Sequence, residues 1–129
     1  MPKIHPSVDA LLSPIVKEWN SAERSYKRAE QLGSKVAIPS INEARYAGRK
    51  IVEVIILIKN DADPKVIEDR IRDVRADLHR AHHDAIDAGI ATIGLRMKIV
   101  REEVPAKVIR EVYPEYINLV RKLSEVNSK

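Results

Sequence analysis

Cysteine and phenylalanine are absent from this chain, glycine occurs four times and tryptophan once. Without cysteine there is no disulfide, no thiol nucleophile and no thiolate metal site; this fits a reducing compartment, and the cytoplasm is the expected location. Neither a Gly-rich phosphate loop nor a Gly-x-Ser-x-Gly element is present, and the serines fall mainly at expected caps and termini, so these routes to nucleotide binding and nucleophilic catalysis drop out. The longest nearly apolar run, Val52 to Ile58, is broken by Glu53 and bounded by Lys50 and Lys59. That is far short of the roughly 20 residues a membrane span needs. The lead-in Met1-Pro2-Lys3-Ile4-His5-Pro6 has no basic region followed by an apolar stretch, so no secretory signal is expected.

What remains is a charged, helix-forming chain. Its 129 residues are 44% hydrophobic and 33% charged, with 23 Lys and Arg against 19 Asp and Glu. That size is enough for one core, and the expectation is a single domain over residues 1–129. The net charge of +4 permits contact with nucleic acid or an acidic protein without requiring it, and no block of basic residues forms an arm.

Apolar spacing sets the architecture. Val8, Leu12, Ile15, Trp19, Ala22, Tyr26 and Ala29 recur at steps of four and three, predicting an amphipathic helix that starts at Ser7, or at Ser13 before Pro14. It should end near Leu32-Gly33, with Ser34 to Pro39 as connection. Ser40-Ile41-Asn42-Glu43 has capping-box spacing and predicts the start of a second helix with the seam Ile41, Ala44, Gly48, Ile51, Ile55 and Ile58. Asn60 to Asp63 closes it, and Asp63-Pro64 supplies an N-cap followed by a first-turn proline.

The third helix carries the seam Ile67, Ile71, Val74, Leu78, Ala81, Ala85 and Ala88. Beyond it the register slips to Ile90, Ile93, Met97 and Val100, coinciding with Gly89 and Gly94. Residues 64–103 in one helix would run to about 60 Å, so a bend, a short break or an element projecting to a partner is expected there. The last region has the seam Ile109, Val112, Tyr116, Leu119, Leu123 and Val126, interrupted at Pro114, and its end, Ser124 to Lys129, should fray. Together these seams predict an all-α protein, an antiparallel up-and-down bundle of four to five helices.

Chemistry concentrates on the third helix, which holds three of the four histidines. Arg72, Arg75, His79 and His82 fall on one flank of the seam, Asp73, Asp77 and Asp84 on the other. Such shoulders serve as salt-bridged edges that decide which neighbour packs where. Arg45 and Arg49 on the second helix, with Asp77 and Asp84, are candidate partner-binding residues. His79, His83 and Asp87 are spaced four apart and share a helix face suited to a metal ion. Yet the chain contains no Glu-x-x-His, the signature of di-iron bundles, and neither metal nor cofactor is expected. The aromatics are too dispersed for a base-stacking platform.

Arginine can hold a phosphate and histidine can move a proton near neutral pH. The pairs Arg72-x6-His79 and Arg75-x6-His82 resemble the Arg-x4–6-His motif of HEPN domains, small helical bundles that include metal-independent ribonucleases active as dimers. The likeness covers those residues and Asp73, a polar residue following Arg72. In HEPN domains the motif belongs to a late helix, whereas here it lies mid-chain. The resemblance implies an RNA-cleaving or RNA-binding protein with Arg72 or Arg75 on phosphate and His79 or His82 as catalytic proton-transfer group. The leading expectation is different: a non-enzymatic bundle acting through self-association as a homo-oligomer and through binding of a protein partner, because its seams exceed what a chain of this length needs for its own core.

Overall fold

In the computed structural model, which describes residues 4–33 and 38–127, the chain is an all-α helical bundle. Its elements are α1 (Pro6–Leu12), α2 (Ile15–Gln31), α3 (Ile38–Lys59), α4 (Pro64–Glu103), α5 (Ala106–Val112) and α6 (Tyr116–Asn127). It divides into two compact units, Met1–Gly89 and Ile90–Lys129.

In the first unit the expected N-terminal helix is split. Pro14 lacks an N–H and its ring crowds the preceding turn, so α1 stops at Leu12 and α2 restarts with Pro14 as its cap. Both starts fall one residue from expectation: α1 begins at Pro6 with His5 rather than Ser7 at its head, and α2 begins at Ile15, with Pro14 as its cap rather than its first residue. His5 caps α1, its Nδ1 accepting from the Ser7 backbone N–H at 3.2 Å. The seam across the two helices holds as expected, with Val8, Ile15, Ala22 and Ala29 buried and Leu12, Trp19 and Tyr26 half-buried. Gly33 ends α2 at φ 78°, the left-handed conformation that glycine adopts without a Cβ penalty.

The start of α3 departs from expectation. Helix is already formed at Ile38, and Ser40 lies inside it, fully buried, rather than outside it as a cap. Its hydroxyl donates to the Ala81 carbonyl of α4 at 2.5 Å, and Glu43 turns to Arg80 instead of back to Ser40. The remaining connection, residues 34–37, lies outside the described residues. The buried stripe of α3 is Ser40, Ala44, Ala47 and Val54, with Ile51 and Ile58 half-buried, so Ile55 points to solvent at 58% exposure. Small Ala44 and Ala47 allow close approach, which favours this stripe over its neighbour.

Asp63 caps α4 as read from the sequence, accepting from the Lys65 N–H at 2.8 Å. All seven seam residues from Ile67 to Ala88 are buried. Cross-helix pairs fix the directions. Glu18 meets Arg75 and Ser25 meets His82, so α2 and α4 run parallel, while Ser40–Ala81, Glu43–Arg80 and Lys50–Asp77 make α3 antiparallel to α4. The unit is an up-down-up bundle. Its core is formed by Val8, Ile15, Ala22, Ala44, Ala47, Val54 and the α4 seam from Ile67 to Ala81, with the Trp19 ring against Gly48.

No break occurs at Gly89 or Gly94; α4 continues as helix to Glu103. In the second unit Pro114 separates α5 from α6, and Tyr113, at φ −138° and ψ 82°, leaves the helical region as the proline requires. The Tyr116 hydroxyl donates to the Met97 carbonyl at 3.1 Å. Of the seam expected here only Ile109 is buried, while Val112 is 79% exposed.

Candidate functional site

Heptad arithmetic assembles the most conspicuous polar site. Because α2 and α4 are parallel, residues seven apart on one face residues seven apart on the other: Glu18 and Ser25 oppose Arg75 and His82. Glu18 accepts both arms of the Arg75 fork, from Nη2 at 2.7 Å and Nε at 3.0 Å. These hydrogen bonds hold the Arg75 guanidinium above its ordinary pKa despite an opposing burial effect. Ser25 Oγ lies 2.7 Å from His82 Nδ1. Sequence reading found Arg75 and His82 but missed Glu18 and Ser25; the matched seven-residue spacing was the available signal.

Between α2 and α4 runs a groove of about 680 Å³ lined by Lys17, Arg72, Arg75, His79 and His82. All four residues of the Arg-x6-His pairs therefore reach one surface. Their availability differs. Arg75 is held by Glu18 and His82 by Ser25, whereas Arg72 makes an exposed 3.1 Å bond to Asp69. His79 is exposed, its Nε2 lying 3.1 Å from His83 Nε2. Lys17 adds to Arg72 and Arg75 a further cation in the groove that the sequence did not single out.

The proposed binding residues separate. Arg45 and Arg49 are exposed on the outer face of α3, Arg49 with a loose 3.9 Å contact to Glu53. Asp84 is exposed on α4. Asp77 is only 2% exposed and is bound by Lys50 at 2.7 Å and by Arg80. It fastens α3 to α4 and has no free face for a partner. Asp87 is exposed, and among the described residues no group of three or more His, Asp or Glu side chains converges as a metal site.

A second candidate is apolar. In the unit after Gly89, nine large apolar side chains are exposed, from Ile93 and Leu95 through Val112 to Ile117 and Val126, against Ile109 as the buried one. A helical unit with so little buried surface gains little from its own packing, and large exposed apolar surfaces mark association sites. Helix periodicity identifies Ile93, Val100, Val112 and Val126 among them as seam positions, but it misses the others and is blind to whether their cover comes from the same chain. No helix among the described residues is long and apolar enough to cross a membrane.

Compared with protein-family models, curated proteins and solved structures, the chain matches none.

Proposed function

We propose that the protein acts by association rather than by catalysis, as a homo-oligomer joined through the helices that follow Gly89. The supporting observation is the exposed apolar set of α5, α6 and the second half of α4. Full burial of an exposed Val, Leu or Ile contributes about 1.5–3 kcal/mol; these side chains are 36–79% exposed, so covering the whole set on both copies, rather than a few members, works against the cost of bringing two chains together. A second copy is the natural cover. The same segment interleaves Arg96, Lys98, Arg101, Lys107 and Arg110 with Glu102, Glu103 and Glu111, a mixed pattern in which one copy can answer another across a two-fold axis. A protein partner would use the face left free in the oligomer, including Arg45 and Arg49. The lack of cysteine suits a cytoplasmic setting.

Light scattering at micromolar concentration tests this reading. The wild type is expected to run as a dimer or higher oligomer, and Val112→Glu with Ile117→Glu to shift it to monomer while helicity remains. A wild type that stays monomeric at that concentration overturns the proposal.

The groove supports a second reading, that of an RNA-binding or RNA-cleaving protein. Lys17 and Arg72 would hold phosphate, with His79 or His82 transferring a proton. Incubation with a mixed RNA pool at neutral pH checks it. Cleavage lost in the His79→Ala/His82→Ala double variant would favour this reading, and RNA left intact by the wild type would remove its catalytic part.

A further inference from the structure

We infer that His79 and His83 form a chelating site for a borderline divalent cation, Cu(II), Ni(II) or Zn(II), on the exposed face of α4. The two residues are four apart on one helix, and their Nε2 atoms come within 3.1 Å of each other, with ring centroids 4.4 Å apart. A metal bound by imidazole sits about 2.0–2.1 Å from each nitrogen. Two such bonds to nitrogens 3.1 Å apart enclose an angle of about 98°, between the square-planar and tetrahedral values. The nitrogen separation already suits an ion, and turning the two exposed rings aims both lone pairs at one point.

The proton inventory allows this. In the pair as it stands one Nε2 carries the hydrogen that the other accepts, since two bare or two protonated nitrogens would repel at that separation. Chelation needs both rings in the Nδ1–H tautomer, so one proton shifts through solvent from Nε2 to Nδ1 of the same ring and none is lost. His82 does not join. Its Nδ1 is taken up by Ser25 on the α2 side, and its ring lies 5.8 Å from that of His83. With two protein ligands the remaining positions fall to water or an external donor, making the site open rather than structural.

The chemistry of the pair sets an order. Two neutral imidazoles favour Cu(II) over Ni(II) and Zn(II), and offer Mg(II) and Ca(II) nothing, since those ions take oxygen ligands. Isothermal titration of the full chain, prepared without an affinity tag, with NiCl2, ZnCl2 and CuCl2 is the test. One ion per chain is expected, with Cu(II) bound more tightly than Ni(II) or Zn(II), weakened at least tenfold in His79→Ala and in His83→Ala and unchanged in His82→Ala. Circular dichroism confirms that these surface variants remain helical. Binding that survives both single variants would place the ion elsewhere, at His5 or the N-terminus, and overturn the assignment. Absence of saturable Cu(II) binding by the wild type, or equal response to MgCl2, would do the same.

Discussion

Lys50 of α3 reaches the Asp77 carboxylate of α4 with its Nζ at 2.7 Å, although Asp77 is 2% exposed. Arg80 holds the other carboxylate oxygen, and Glu43 receives Arg80 in turn at 3.4 Å. A charge so enclosed is tolerable only while its partners are present. Lys50→Met should therefore destabilise the fold by about 3 kcal/mol, the low end for breaking a buried pair because Arg80 remains. Replacing both partners, as Lys50→Met with Asp77→Leu, should recover most of that loss, since no buried charge is then left unpaired. Urea unfolding of the two variants and the wild type measures it. A Lys50→Met protein as stable as the wild type would show that the network contributes nothing.

The seam from Ile67 to Ala88 was fully legible, because seven apolar residues at steps of four and three admit one burial face. In α3 the same rule was ambiguous. Bulky residues at Val52, Ile55 and Ile56 compete with Ala47 and Val54, and only the neighbouring helices decide between the stripes. Ser40 misled because a capping box and a serine buried under a neighbouring carbonyl share the same local sequence. Asp77 reads as a candidate partner-binding residue from the sequence because the lysine that makes its burial tolerable lies 27 residues away. The Arg and His flank was visible from the wheel alone, while its ties to Glu18 and Ser25 required knowing that α2 and α4 are parallel.

At the end of α3, Asp61 sits at φ 52°, while the Ala62 N–H bonds to the Leu57 carbonyl at 3.0 Å and the Asp61 N–H to the Ile58 carbonyl at 3.2 Å. This is the turn that ordinarily selects glycine at the left-handed position. The aspartate also brings negative charge to the negative end of the helix dipole. Asp61→Gly should stabilise the protein by about 1 kcal/mol, with Asp61→Asn gaining less, since it removes the charge but keeps a side chain. A lower melting temperature for Asp61→Gly would contradict this.

Burial pushes the Tyr26 phenol above its ordinary pKa, with Glu23 adding to the shift and Lys27 opposing it. As pH rises, the unfolded chain therefore gives up this proton before the folded one does. The contribution is complete below the unfolded value of about 10 and is lost as pH climbs through the folded value. Thermal unfolding between pH 8 and about 11 should show stability falling at the alkaline end, with a shallower fall in Tyr26→Phe. Identical slopes for the two proteins would place Tyr26 in a water-like environment.

Gly94 lies inside α4, and a Cβ built there meets nothing within 4 Å, whereas one at Gly48 would touch the Trp19 ring at 3.7 Å, an ordinary packing distance. Neither glycine has the positive φ that would require it. Alanine at either position should stabilise by about 0.5–1 kcal/mol, because glycine loses more backbone freedom on forming a helix. The two sites probe different things. Gain at Gly48 reports on α2 packing against α3, and gain at Gly94 reports on whether α4 is needed as uninterrupted helix. If Gly94→Ala lowers the melting temperature or alters the mass in solution while Gly48→Ala behaves as expected, the glycine serves a bend that α4 adopts on assembly, and the association surface after Gly89 is shaped by that bend.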